Sequence, residues 1–366
     1  MKQFSTTALK MFFALLKATF KKSPIDVSLF ESATFEDWEN CYTLCQQQGV
    51  RATAWDGVQQ LPPTSQPPVE IKVKWALEVE DSEKEYSKQC HALNELTTLF
   101  QTYGLKVIIL KGLGLSSYHP VPTHRECGDI DLCVRPTHPD KMSNTEAYQQ
   151  SVKAIQALNI SVDTTFSKKH DIFYFKDIMV ENHRNLLNIH IIRSAASIDN
   201  LLNTIIAPNY CIIKNKYRLL IPSTGFNTIF IPYHAAQHFG SGICMHHLYD
   251  WASFLHREGL HIPVQLTDER FKRFIYAFTQ LSNQYFDTHI KVPEETELAE
   301  SILNDMLYSP FSSSKNPKQK IRIISFKLKR MLYLHHFKKK VFGSNLWYTI
   351  GYSILFHLRN PKTIFF

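Results

Sequence analysis

Two aspartates lie one residue apart in the run HRECGDIDLCV, residues 124–134. Asp129 and Asp131 are flanked by strand formers. Successive strand residues point to opposite faces, so the two carboxylates share one face. A rise of roughly 3.3 Å per residue puts their Cα atoms about 6.6 Å apart. Carboxylates at that spacing converge on one or two hard cations. Magnesium favours oxygen ligands and usually takes one or two carboxylates plus substrate phosphates. Ile130 and Leu132 would face the core on the other side. Without a cation, like charges paired at the end of a buried strand are costly. A bare D-x-D is more often a solvated strand face, so the surrounding residues must decide.

Just upstream, ILKGLG reads as strand, glycine turn and short helix. A glycine there lets backbone N–H groups approach a phosphate, and a helix N-terminus favours anions. Lys111 would add a point charge. Arg125, four residues before Asp129, would fork onto phosphate oxygens. A third carboxylate, Glu181, lies in DIMVENH, where Met179, Glu181 and His183 share a strand face. Three carboxylates on neighbouring strands beside a glycine turn form a two-metal phosphoryl-transfer pattern.

These residues need a frame. Apolar spacing predicts helices over residues 5–20, 36–48 and 84–103, with the Pro-rich connector LPPTSQPP (61–68) between the last two. From Leu105, LKVIILKG reads as a buried strand, LGLSSYH as a short helix or turn, and CGDIDLCV as a second strand closed by Pro136 and Pro139. Residues 140–158 read as helix. Three β-like runs follow at 170–175, 177–183 and 187–192. Helices are expected over 226–239, 246–257, 268–284 and 295–308, then a linker over 309–317 and a basic helical tail. The fold class expected is α+β: a small mixed β-sheet core flanked by N- and C-terminal helical subdomains. The expected units are an N-terminal helical region (1–104), the sheet core (105–220), a C-terminal helical region (221–310) and the tail (311–366).

Composition narrows the function classes. The 366 residues are 44% hydrophobic and 20% charged, enough apolar material for a sizeable core. Seven cysteines, with no C-x-x-C pair, argue against a disulfide framework and for a reducing compartment, hence a cytoplasmic location. Cys41 and Cys45 read as buried thiols on one helix face. The N-terminal stretch is apolar but broken by Lys10 and Lys17, which suits an amphipathic helix rather than a signal peptide. Net charge is +8, yet the last 52 residues carry twelve Lys and Arg and no Asp or Glu. The remaining body has 29 basic against 33 acidic residues, so nucleic acid is the less favoured partner. In the tail, residues 341–358 lack any charged side chain and meet the lower length limit of a spanning helix, though polar residues dilute them. Three roles stay open for 319–366: peripheral contact with an anionic membrane, packing on the body, and packing on a partner.

The combination LKG, R-x-x-G-D-I-D-L and a strand with an acidic residue two before His resembles a bacterial nucleotidyltransferase-like family of the DNA polymerase β-like superfamily. The helical segment YHAAQHFGSGICMHHLYDWASFL is similar to that family's H-x-x-x-H followed by Asp, met here by His234, His238 and Asp250. The resemblance implies transfer of a nucleoside monophosphate from an NTP, ATP included, to an unidentified acceptor. That acceptor is a sugar or glycan precursor, a protein or a nucleic acid. Asp129 and Asp131 would hold Mg²⁺ (or Mn²⁺), and Glu181 would complete the metal set and orient or deprotonate the acceptor hydroxyl. Lys111, Gly112, Arg125 and Gly128 would bind the nucleotide, with His183, His234, His238 and Asp250 as accessory residues. The superfamily's Gly-Ser phosphate turn is replaced by Lys-Gly-Leu-Gly, leaving Ser116 or Ser117 as substitutes. The alternative is a non-catalytic nucleotide-binding or adaptor protein that keeps the fold. His234 and His238 also have zinc-like spacing, but the glutamate of a zinc-protease motif is replaced by Ala235. Packing or polar contacts are therefore expected for them, and Asp250 is expected to pair with His246 or His247.

Overall fold

A computed structural model of the chain describes residues 4–20, 25–164, 169–189, 194–213, 217–308 and 320–343, with Trp347, Ile350, Gly351 and Leu355 beyond. Five helices come first: α1 (Thr6–Ala18), α2 (Ser28–Glu31), α3 (Phe35–Gln47), α4 (Arg51–Val58) and the long α5 (Val69–Thr102). The start of α3 is written locally. Thr34 accepts the Asp37 N–H while the Asp37 carboxylate takes the Thr34 N–H, a reciprocal capping box. Ser143 and Glu146 repeat the device at the start of α7 (Asn144–Gln156).

The sheet is built from β1 (Leu105–Ile109), β2 (Asp129–Pro136), β3 (Val162–Asp163), β4 (His170–Phe175), β5 (Ile178–His183), β6 (Asn209–Ile213) and β7 (Tyr217–Ile221). These seven strands run in the order β3-β4-β5-β2-β1-β7-β6. The sheet is mixed: β1 and β2 are antiparallel, whereas β2–β5 and β1–β7 are parallel. The one-turn α6 (Leu113–Ser116) and helix α8 (Ala195–Ile205) interrupt the strands. Then come α9 (Thr224–His238), α10 (Met245–Glu258), α11 (Glu269–Phe286), α12 (Thr296–Tyr308) and α13 (Lys320–Phe342). The α+β architecture is as expected from the sequence.

Two hydrophobic clusters meet at this sheet. On one face Val107, Ile109, Ile130, Leu132 and Val134 pack with Phe173 and Val180 beneath α7 and the C-terminal half of α5. On the other, Ile108, Leu110, Cys133 and Ile221 join the larger cluster built by the flanking helices. Helix α5 serves both: Ile71, Trp75 and Val79 lie in the helical cluster, and Tyr86 through Phe100 in the sheet cluster. Burying each of Ile130 and Leu132 stabilises the fold by roughly 1.5–3 kcal/mol, which pins β2 and therefore the direction of its aspartates.

Several elements differ from the sequence expectation. Helix α5 starts at Val69, fifteen residues before the expected Lys84. Its first half spreads apolar residues around the helix: Val69, Val73 and Leu77 are exposed while Ile71, Trp75 and Val79 are buried, so no single stripe marks it. The strand expected over 187–192 does not form among the described residues. Leu186 and Leu187 are instead buried in the helical cluster, and the Leu187 N–H donates to Asp199 of α8 at 2.7 Å. Helices α4 and α8 and strands β6 and β7 were not anticipated. The expected linker 309–317 lies outside the described residues, as does most of the aromatic run after Gly343. Among the described residues no helix is long and apolar enough to cross a membrane. The described part of α13 packs on the body: Val341 and Phe342 are buried, Phe337 stacks edge-on with Phe239, and Lys338 donates to the Ala236 and Gln237 carbonyls.

Candidate active site

Parallel pairing of β2 with β5 sets Asp129 beside Met179 and Asp131 beside Glu181. Both strands alternate, so their outward residues line up on one face. Ligand oxygens of Asp129, Asp131 and Glu181 all lie within 4.8 Å of one another. The three carboxylates predicted to gather do so.

Their protonation is set by close neighbours. Asp131 is buried, which would raise its carboxyl, but the Lys111 ammonium at 2.8 Å and His183 Nε2 at 2.9 Å override this and hold it well below the ordinary range. Burial and the adjacent Asp131 charge push Asp129 up instead. Lys111 loses some basicity to burial and regains more from Asp131 and Asp129, so it stays charged. One oxygen, Asp131 Oδ2, is buried with no hydrogen-bond partner among the described residues. An orphaned carboxylate oxygen within a set of three carboxylates is the donor chemistry a hard divalent cation needs. The residues present therefore fit the expected metal.

Asp129 and Asp131 open onto a cavity of about 410 Å³, lined also by Lys111, Gly112, Arg125, Cys127 and Gly128. Gly112 follows β1 with φ +58° and ψ −117°, a conformation a side chain resists. It brings the turn against Asp129: a Cβ there would meet the Asp129 carbonyl at 3.4 Å. The expected helix dipole contributes little, because α6 is only one turn long. Neither serine substitutes for the missing phosphate-turn hydroxyl. Ser116 is fully buried and bonded to Leu113 O and the Tyr86 hydroxyl, while Ser117 donates to Gly114 O.

Two expected partners are rearranged. Arg125 forks onto Asp250, with Nε 3.2 Å from Oδ1 and Nη2 2.9 Å from Oδ2. Asp250 also accepts from His119 Nε2 at 2.7 Å, and it forms no ion pair with His246 or His247. Its carboxyl, which burial would raise, is held far down chiefly by Arg125. Arg125 thus reaches the cavity wall with its fork already held by Asp250. His234 lines the cavity, whereas His238 does not. His183 stands behind Asp131 rather than in the open space.

Sequence reasoning missed three groups. Arg51 of α4 lines the cavity, held by Glu78 at 2.6 Å and Glu126 at 3.2 Å. Lys169, whose basicity is lowered to about 8 by burial and by Lys111, feels all three carboxylates. His170 Nδ1 lies 3.2 Å from Glu181 Oε2. The signal for His170 was present: a two-residue turn at Lys176–Asp177 between β4 and β5 forces His170 opposite His183.

A mixed sheet with a carboxylate trio at one end, a glycine turn against it and a cavity above is the frame of a phosphate-handling α+β protein. Residues 35–287 match the family profile described as an uncharacterised nucleotidyltransferase, and the chain belongs to that family. No curated protein and no solved structure shows a significant match to it.

Proposed function

We propose that the protein is a Mg²⁺-dependent nucleotidyltransferase of the DNA polymerase β-like type, with Mn²⁺ as a substitute ion. The supporting observation is the convergence of Asp129, Asp131 and Glu181, with Asp131 Oδ2 left without a partner. These three side chains would hold the divalent cations. Bound there, the ions neutralise phosphate charge and stabilise the attacking and leaving oxygens of an in-line displacement. The acceptor hydroxyl attacks the α-phosphorus of the NTP. The bond to the bridging oxygen breaks, pyrophosphate leaves, and the hydroxyl proton passes to Glu181. His170 Nδ1 stands 3.2 Å from Glu181 Oε2, close enough to help position that carboxylate, while His183 Nε2 is committed to Asp131. The turn at Gly112 presents backbone N–H groups to the triphosphate, beside Lys111 and Gly128. Lys111, in the cavity wall and paired with Asp131, is placed to exchange that carboxylate for a phosphate. Arg125, tied to Asp250, shapes the wall and contributes positive potential.

Labelled α-phosphate NTPs incubated with cell extract and the protein should yield a labelled acceptor. Asp129→Asn and Asp131→Asn should each abolish that labelling while keeping the fold. Labelling undiminished in Asp131→Asn would sink the proposal. A non-catalytic nucleotide-binding adaptor is the alternative, and the Lys111–Asp131 pair favours it, because it offsets carboxylate repulsion without any ion. A Mg²⁺-dependent rise in Tm with NTP, with no labelled product from any extract, would mark the adaptor. Leu332, Trp347 and Leu355 are exposed on the basic tail, which supports peripheral contact of 319–366 with anionic membranes. Flotation with anionic vesicles that survives deletion of 319–366 would remove that part.

A further inference from the structure

Helices α9 and α10 bring together a second set of ligand-type side chains, chemically unlike the carboxylates. His234 and His238 lie one turn apart on α9, and His247 reaches them from α10. One nitrogen from each lies within 4.8 Å of the others. The rings are clustered, with centroids 4.8, 5.3 and 4.9 Å apart. A second triad, Cys244, His246 and His247, shares His247. No ring nitrogen of His234 or His238 is hydrogen-bonded within the described residues, a poor use of two half-buried imidazoles unless something else takes their lone pairs.

We propose that His234, His238 and His247 bind a zinc-class transition-metal ion, separate from the carboxylate site, with its fourth position open to the active-site cavity. An all-imidazole triad without a carboxylate suits zinc and its neighbours and is a poor magnesium site. Three protein ligands plus one open position is the arrangement of catalytic rather than structural zinc. The open side is assigned by His234, which lines the same cavity as Asp129 and Asp131. His247 Nδ1 accepts the Cys244 N–H at 3.0 Å and lies 3.3 Å from the Cys244 carbonyl, so metal binding through Nε2 requires the proton to move to Nδ1, where that carbonyl can accept it. Zn–N bonds of about 2.05 Å at tetrahedral angles require nitrogens roughly 3.4 Å apart, so the rings close in by an ångström or so on binding.

Burial keeps the histidines neutral: His238 is pushed down to about 3 and His234 and His247 fall well below their usual value. Lys338, half-buried over the end of α9, is lowered to about 7 by desolvation. Lys111 is paired to Asp131. Cys244 is left out of the proposed set, because burial raises its thiol to about 11 and its Sγ donates to the Gly242 carbonyl.

Full-length protein loaded with Zn²⁺ and dialysed should retain one zinc per chain by elemental analysis. Co²⁺ in its place should give the intense absorption of a four-coordinate ion. His234→Ala/His238→Ala should weaken zinc binding at least about 100-fold, since even outer-shell changes cost 10–100-fold. Asp131→Asn should retain the zinc, which separates this site from the carboxylates. Zinc retained equally by the double variant overturns the proposal. If that variant does not fold, X-ray absorption at the zinc edge of the unaltered protein decides. Imidazole scattering from three ligands supports the assignment, and an oxygen-only shell overturns it.

Discussion

Asp131 is held by a lysine and a histidine at once, and that crowding fixes its charge. Lys111 and His183 keep the carboxylate ionised inside the sheet edge, while Asp129, lacking such partners, is pushed toward its neutral form. A cation arriving there would meet one carboxylate already charged and one whose charge it must stabilise itself. Away from the site, His124 shows how a single imidazole ties elements together. Its Nδ1 lies 2.8 Å from Asp56 of α4 and its Nε2 3.1 Å from Glu83 of α5. Burial alone would lower its pKa, but Asp56 and Glu83 raise it above 6.5. A raised folded-state pKa means the stabilisation is fully present below about 6.5 and disappears as pH climbs through the folded value. Denaturant melts of wild type and His124→Gln should therefore differ most on the acid side of neutrality and converge at alkaline pH. A gap independent of pH would show that the contacts matter through packing alone.

Elements carry the next layer. Gly57 in α4 lies against the backbone of α1, and an added Cβ would come within 2.7 Å of Leu15 Cα and 2.8 Å of its carbonyl carbon. Alanine gains about 1 kcal/mol in helix propensity, yet overpacking against an immovable backbone costs roughly 1–3 kcal/mol. Gly57→Ala should lower Tm, and an unchanged or raised Tm would show that the two helices can separate. The β4–β5 hairpin offers the opposite case. Lys176 and Asp177 both have positive φ, 51° and 63°, as a two-residue type I′ turn requires. Asp177→Gly should stabilise by up to about 1 kcal/mol, because glycine accepts that conformation without strain. Chemical shifts or exchange data showing a changed His170–His183 register would contradict this account of the turn. The same hairpin marks how far the sequence could be read. D-x-D alternation and the apolar runs of β1, β4 and β5 were legible because each strand declares its faces locally. The short β7 was not, because its place depends on pairing Ile108 with Leu220, more than a hundred residues apart. Nor could spacing alone reveal that Asp250 would claim Arg125, since that contact exists only once α10 packs behind the turn.

For the whole molecule, the family match ends at residue 287, yet elements outside it close the core. Met11, Phe12, Leu15 and Leu16 of α1 are fully buried before the match begins. After it ends, α13 lays Val341 and Phe342 into the helical cluster, with Phe342 beside Tyr233. Deleting residues 319–366 should thus cost stability on the order of 3–6 kcal/mol, from two buried apolar side chains. Calorimetry on the truncated chain would read this as a lower Tm, and an unaltered Tm would mean that the tail is dispensable to the fold.

One helix runs through both apolar clusters. A rod of 34 residues extends roughly 50 Å, and α5 lends one end to the helical lobe and the other to the underside of the sheet. Ser82, Glu85 and Tyr86 sit midway along this rod and look into the cavity. The cavity is therefore lined by the middle of a helix whose two ends are anchored in different apolar clusters.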